Sequence, residues 1–239
     1  FSKIFYMIRC VILQSNYIPW KGYFDIINQV DEFILYDDVQ YTRRDWRNRN
    51  KIKTPNGLQW LTIPVEVKGK YNQKIKDTII SEFNWTKKHW NAIKFNYINS
   101  KYFHELKDFF EELYLGHQEK YLSLLNYRFI IEINKLLNIT TQISWSMDYD
   151  LSVVGNTEKL IHLCKQAKTN IYLSGSSAKN YMDEELFNEE GIRVEWIDYS
   201  NYPEYRQIYP PFQHRVSIID LIFNEGENAQ QFIKSEKKV

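Results

Sequence analysis

Residues 8–36 restrict the fold more than any other stretch of the chain. Ile8 to Leu13, IRCVIL, is an unbroken apolar run, the pattern of a strand buried on both faces. A polar turn bearing Pro19 and Gly22 follows, QSNYIPWKGYF. Tyr23 to Val30 then sets Phe24, Ile27 and Val30 at helical spacing. Phe33 to Tyr36, FILY, is a second β-prone run. Strand, turn, helix and strand make a βαβ unit, and strands joined that way lie parallel. The turn after the first strand and the residues after the second therefore meet at one sheet edge. In open α/β sheets that edge is the ligand crevice.

The residues delivered to that edge are chemically rich. After the second strand come Asp37, Asp38, Gln40 and Tyr41, then Arg43, Arg44, Arg47 and Arg49, interleaved with Trp46, Asn48 and Asn50. Guanidinium forks suit bidentate recognition of phosphate or carboxylate. The turn after the first strand supplies Gln14 and the flat faces of Tyr17, Trp20 and Tyr23, which suit a base or sugar ring. The competing reading is a solvated loop beside a hydrophobic plug at the sheet end. Asp37 and Asp38 suit magnesium on a phosphate, or an ion-pair network with Arg43 or Arg44; the network is the preferred reading.

Further along, Asn56-Gly57 signals a turn and Leu58 to Val65 a third strand. Lys68 to Lys76 reads as a polar loop, and Ile75 to Ile80 as a further short strand. Trp85 to Asn99, Tyr102 to Tyr114 and Glu119 to Leu137 are three amphipathic helices. Strands follow at Thr140 to Trp145, Asn170 to Leu173 and Gly191 to Ile197. Helices follow at Glu158 to Ala167, Asp183 to Glu189 and Val216 to Phe223, and then a last short one. The expectation is one α/β domain over residues 7–232, a three-layer, mostly parallel sheet of Rossmann-like or nucleotidylyltransferase-like type. Residues 84–138 form a helical insertion or cap. Met7 is read as the natural start, with residues 1–6 an upstream extension and 233–239 a frayed tail.

Composition narrows the function. A net charge of +1 gives no bulk drive toward nucleic acid or an anionic membrane, so any anion site is local. The two cysteines, Cys10 and Cys164, lie in apolar runs and read as reduced thiols, neither a disulfide framework nor a zinc site. No apolar run reaches the length of a membrane span. The expected location is the cytoplasm.

Other candidates are scattered. Ser174-Gly175-Ser176-Ser177 stands at a strand-to-helix junction, where small residues let backbone amides approach an anion; a plain helix cap explains it equally well. Lys179 and Tyr181 follow within two turns. His89 in NWTKKHW, beside Lys87 and Lys88, is a candidate general base, and Asp38 a second. His214 precedes Arg215, and Asp220 sits among apolar neighbours as a buried carboxylate. No spacing makes a metal site, and no nucleophile elbow occurs.

In order along the chain, ILQSNYIPWKGYF, YDDVQYTRRDWRNRNKI, WLTIPV, WTKKHW, YLSGSSAKNY and SIIDLIFNEG resemble the WbqC-like family over nearly the whole length. One departure is Ser15-Asn16, where the family commonly has Pro and a variable residue. The resemblance implies a part in bacterial surface-polysaccharide or O-antigen (lipopolysaccharide) biosynthesis, as a transferase acting on a nucleotide-linked amino sugar. In that reading the arginines hold the diphosphate, Tyr17, Trp20 and Tyr41 stack on base or hexose, and His89 or Asp38 takes the amine's proton. An acyl or aminoacyl group would come from a carrier-protein thioester, coenzyme A or an adenylate. No tightly bound metal is expected. The alternatives are an ATP-dependent ligase or nucleotidylyltransferase, and a non-catalytic sugar-nucleotide binder.

Overall fold

The computed structural model describes residues 7–116, 118–180 and 182–235. The expected upstream extension, Phe1 to Tyr6, and the candidate Tyr181 lie outside the described residues. Five parallel strands form the main sheet: β1 (Arg9–Leu13), β2 (Glu32–Leu35), β5 (Gln142–Trp145), β6 (Ile171–Ser174) and β7 (Arg193–Trp196), in the order β5-β2-β1-β6-β7. Register runs Leu13 beside Leu35 on one flank of β1 and Val11 beside Leu173 on the other. The chain builds outward from β1 through β2 to β5, then returns to lay β6 and β7 on the opposite flank. Strand order reverses between β1 and β6, the topological switch point of an open α/β sheet.

Both faces of the sheet are covered, which is why the strands read as continuous apolar runs. Val11, Phe33, Leu35 and Leu173 join one core with α1 (Lys21–Asn28), α2 (Trp85–Tyr97), α3 (Phe103–Leu115), α4 (Leu122–Leu136) and α7 (Ile218–Glu225). Cys10, Ile12, Ile34 and Tyr172 face the other way, onto α5 (Asn156–Gln166) and α6 (Glu184–Glu189). This alternation gives three layers. Cys10 and Cys164 meet across the second core with their sulfurs 3.4 Å apart, both free and buried. The neighbouring thiol and burial push Cys164 well above its usual range, which disfavours the thiolate.

Between β2 and β5 the chain inserts a separate hairpin and then α2, α3 and α4. Phe223 of α7 ties the insertion down, with ring centroids 4.8 Å from Phe110 and 5.2 Å from Phe103. Truncating a fully buried phenylalanine such as Phe110 costs about 3–5 kcal/mol.

Four local expectations are corrected. The strand at Leu58 to Val65 stops at Thr62 and does not join the sheet. As β4 (Gly57–Thr62) it pairs antiparallel with β3 (Arg49–Thr54), the tail of the arginine stretch. Gly57, at φ +107°, makes the tight reversal that a side chain would strain. Ile75 to Ile80 opens as a 3-10 turn, because the Thr78 hydroxyl and amide bond back to Lys74 and Ile75 carbonyls. Only single bridges follow, Val65 to Ile80 and Ile79 to Tyr121. The serine-rich junction enters a 3-10 turn, Ser176–Asn180, and the next helix is capped by Asp183, which accepts from the amides of Glu185 and Leu186. Within the expected tail, Ile233 is buried, Lys234 reaches Asp198 and the Ser235 amide donates to Asp25 at 2.6 Å, while residues 236–239 lie outside the described residues.

Candidate functional site

A cavity of about 610 Å³ opens at the carboxyl end of β1, the sheet edge where ligands of open α/β folds bind. Four chain segments build it. The turn after β1 gives Gln14, Asn16, Pro19 and Trp20. The β2–β3 link and the start of β3 give Trp46, Arg47 and Asn50, the loop after β7 gives Tyr199, Asn201 and Tyr202, and the strap before α7 gives His214 and Arg215. Backbone bonds hold these segments together: Tyr17 N to Trp46 O at 3.0 Å, Ser217 N to Lys51 O at 2.8 Å and Ile218 N to Pro19 O at 2.9 Å. Asn50 clasps the first turn through Nδ2, which donates to the carbonyls of Tyr17 and Ile18. Ile18 carries φ +36°, so this clasp holds a left-handed residue in place.

One wall is aromatic: Trp20 lies 5.2 Å from Tyr202 and 6.0 Å from Tyr199 between ring centroids. The junction glycine of β6, Gly175, approaches the same wall, since a β carbon there would stand 3.6 Å from the Tyr199 hydroxyl. The other wall is cationic. Arg47 donates to the Ser15 carbonyl and to Asn16 Oδ1 and lies 3.5 Å from Asp45, with its Nε buried and unpartnered. Arg215 has no carboxylate within 4 Å among the described residues. The mixture of flat rings and guanidinium groups fits a ring-bearing anion.

Of the sequence candidates, the cavity gathers Gln14, Trp20, Tyr23, Asn50 and Arg47. Tyr23 donates to the Gln14 carbonyl at 3.0 Å. The remaining candidates lie elsewhere. Tyr17 is fully buried, and its hydroxyl meets His89 Nδ1 at 2.8 Å and Tyr114 at 3.0 Å. His89 also bonds the Thr62 backbone. Burial lowers its pKa to about 4. Burial rather than the neighbouring lysines sets this shift, and the ring does not line the cavity.

Asp37 is a structural pin, not a ligand-facing acid: it accepts from the Ser15 amide at 2.8 Å and from the Ser123 hydroxyl. Burial raises its carboxyl despite these bonds. Asp38 pairs with Lys74 at 3.0 Å and Lys76 at 2.7 Å, not with Arg43 or Arg44. Partial burial pushes that carboxyl up, and the two lysines outweigh it and hold it below the usual range. Tyr41 is buried in the core, and Gln40 donates to the Tyr71 carbonyl. Asn48 is spent on the Ile63 carbonyl.

The four arginines do not act as one cluster. Arg47 alone turns into the cavity, Arg43 donates to the Val67 carbonyl, Arg44 is exposed at φ +58°, and Arg49 lies over Trp60. Ser174 is buried at the end of β6, Ser176 is exposed, and Lys179 sits 5.0 Å over the Trp196 ring.

Sequence reasoning missed Tyr199, Asn201 and Tyr202, although applying the strand-end rule to β7 points at DYSNYPEY. His214 lines the cavity with Nδ1 buried and unpartnered. Burial and the nearby Lys21 charge lower its pKa, which favours the neutral ring. Lys21, pushed down to about 8 by burial, donates to the Pro203 carbonyl inside a ring of Tyr202, Tyr205 and Phe212. Among the described residues no three His, Cys, Asp or Glu side chains converge on a metal position.

A model of the WbqC-like protein family matches residues 14–232. A protein described as "Uncharacterized protein Rv1507c", from Mycobacterium tuberculosis (strain ATCC 25618 / H37Rv), is 50% identical over 228 residues, covering 95% of this chain and 98% of the relative. No solved structure matches.

Proposed function

Because the chain belongs to the WbqC-like protein family, we propose that it transfers an acyl or aminoacyl group to the amine of a nucleotide-linked sugar in surface-polysaccharide biosynthesis. The observation that carries this reading is the cavity at the carboxyl end of β1, walled by Trp20, Tyr199 and Tyr202 and faced by Arg47 and Arg215. The aromatic wall takes the base or hexose. Arg47 and Arg215 take the diphosphate, with Gln14, Asn16 and Asn201 left for sugar hydroxyls.

His214 is the base in this scheme. The imidazole of His214, which lines the cavity, accepts the proton from the attacking amine. With a thioester donor, the amine nitrogen forms the new C–N bond, the C–S bond breaks, and the proton passes through His214 to the departing thiolate. His89 and Asp38 have no part, since one is sealed under Tyr17 and the other is held by lysines.

Calorimetry against nucleotide sugars, free nucleotides and ATP tests the reading. Nucleotide sugars are expected to bind more tightly than the parent nucleotide, and an amino-sugar nucleotide to release thiol from an acyl thioester. Binding of ATP with pyrophosphate release, and no nucleotide-sugar binding, would replace it with the ligase reading.

A further inference from the structure

Trp46 faces two ways. It lines the cavity mouth, and its ring also lies 5.5 Å from Trp60 at an interplanar angle of 36°. Trp60 stands on β4 directly opposite Lys51 on β3, and Arg49 lies two residues before Lys51. Opposed and i,i+2 positions share one face of a hairpin. On that face Arg49 Cζ sits 4.2 Å and Lys51 Nζ 4.6 Å from the Trp60 ring centroid, with Lys51 Nζ 6.0 Å from Trp46. Both indoles are over one-third exposed, at 37% and 41%.

Two features separate this ladder from an ordinary solvated face. No carboxylate lies within 4 Å of Arg43, Arg44, Arg49 or Lys51 among the described residues, although the chain carries almost as many acids as bases. The cations are also held in place. Arg49 is stacked on Trp60 and donates to the Arg44 carbonyl, so its rotamers are restricted before any ligand arrives. The nearest acid, Asp45, feels the Arg49 charge, which helps to lower its carboxyl, but makes no ion pair with it; a positioned guanidinium beside an ammonium suits phosphate.

We propose that this hairpin face is the subsite for the phosphates of a low-molecular-weight, polyphosphorylated second substrate, of the kind coenzyme A represents. Its chain crosses Trp46 and its reacting end enters the cavity. The charge of the patch selects the ligand: Arg49 and Lys51 beside two exposed indoles on one face of a two-stranded hairpin complement a small anion that carries a flat ring. The number of free cations selects more than one phosphate. The donor's purpose rests on the transfer reading above; the anion site itself does not.

Coenzyme A is the probe, titrated calorimetrically into the full chain and into Arg49→Gln/Lys51→Gln, with Trp60→Ala as a second variant. Circular dichroism melts establish that each is folded. Wild type is expected to bind coenzyme A, weakening as salt is raised. The double variant should lose about tenfold or more in affinity, with nucleotide-sugar affinity unchanged. No binding to wild type at millimolar coenzyme A overturns the inference. So does equal binding by the folded double variant, or coenzyme A competing with nucleotide sugar and vanishing in Arg215→Ala, which would put it in the cavity. Failure of the transferase reading is distinct: nucleotide sugars then do not bind, while the coenzyme A result still stands or falls alone.

Discussion

The indole of Trp20 lies across Gly22, so that a β carbon on residue 22 would fall inside the ring. The first turn of α1 and the aromatic wall of the cavity are therefore one packed unit. Gly22→Ala must push Trp20 off that wall. Overpacking of this kind costs about 1–3 kcal/mol, read as a lower midpoint in urea. Ligand affinity should fall with it, whereas Gly191→Ala, where a β carbon meets nothing, should strain the backbone without touching the cavity.

His89 makes stability acid-sensitive. Its pKa is about 4 in the fold against about 6.5 unfolded, so between those values the unfolded chain binds a proton that the folded chain refuses. The contribution is complete above pH 6.5 and is lost as pH falls toward 4, amounting to about 3 kcal/mol. His89→Gln cannot charge. It should lower stability at pH 7.5, through lost bonds to Tyr17 and Thr62, yet show a shallower decline toward pH 4.5 in urea melts. An unchanged slope would mean that His89 titrates normally.

The parallel sheet and the crevice were legible because parallel strands buried on both faces leave continuous apolar runs, as in IRCVIL and FILY. The switch-point turn was legible for the same reason. The fate of the arginines was not, because it depends on pairings far along the chain. Whether Arg47 or Arg49 points into the cavity is decided by β4 pairing with β3 and by Ser217 bonding Lys51. Tyr17 has the composition of a stacking residue, but burial against Trp85, His89 and Phe129 makes it core. His214 and Arg215 reach the site through a strap that no local periodicity announces.

Asp220 carries the opposite pH signature to His89. Its carboxylate accepts from Tyr97 at 2.8 Å and Tyr205 at 2.6 Å, but burial outweighs these bonds and raises its pKa. A raised carboxyl contributes stability that is complete below the unfolded value near 3.9 and is lost as pH rises through the folded value. Asp220→Asn should therefore gain on wild type as pH rises from 4 to 7 in paired urea melts. Asp220→Ala leaves two buried hydroxyls unpaired and should cost about 3 kcal/mol or more at either pH.

Arg215 and Arg44 separate a cavity cation from a surface one. Arg215 faces the cavity with no acid beside it, so Arg215→Ala removes a charge-assisted contact and should weaken a nucleotide-sugar diphosphate by about 1.5–3 kcal/mol, roughly 10- to 150-fold in Kd. Arg44 lies outside the cavity in a left-handed turn, and Arg44→Ala should leave that Kd within about twofold. Both side chains are exposed, so neither variant should shift the melting midpoint enough to confound the comparison. Equal losses from the two would point to bulk attraction of the anion to a basic surface; a loss confined to Arg44 would move the phosphate out of the cavity and onto the turn before β3.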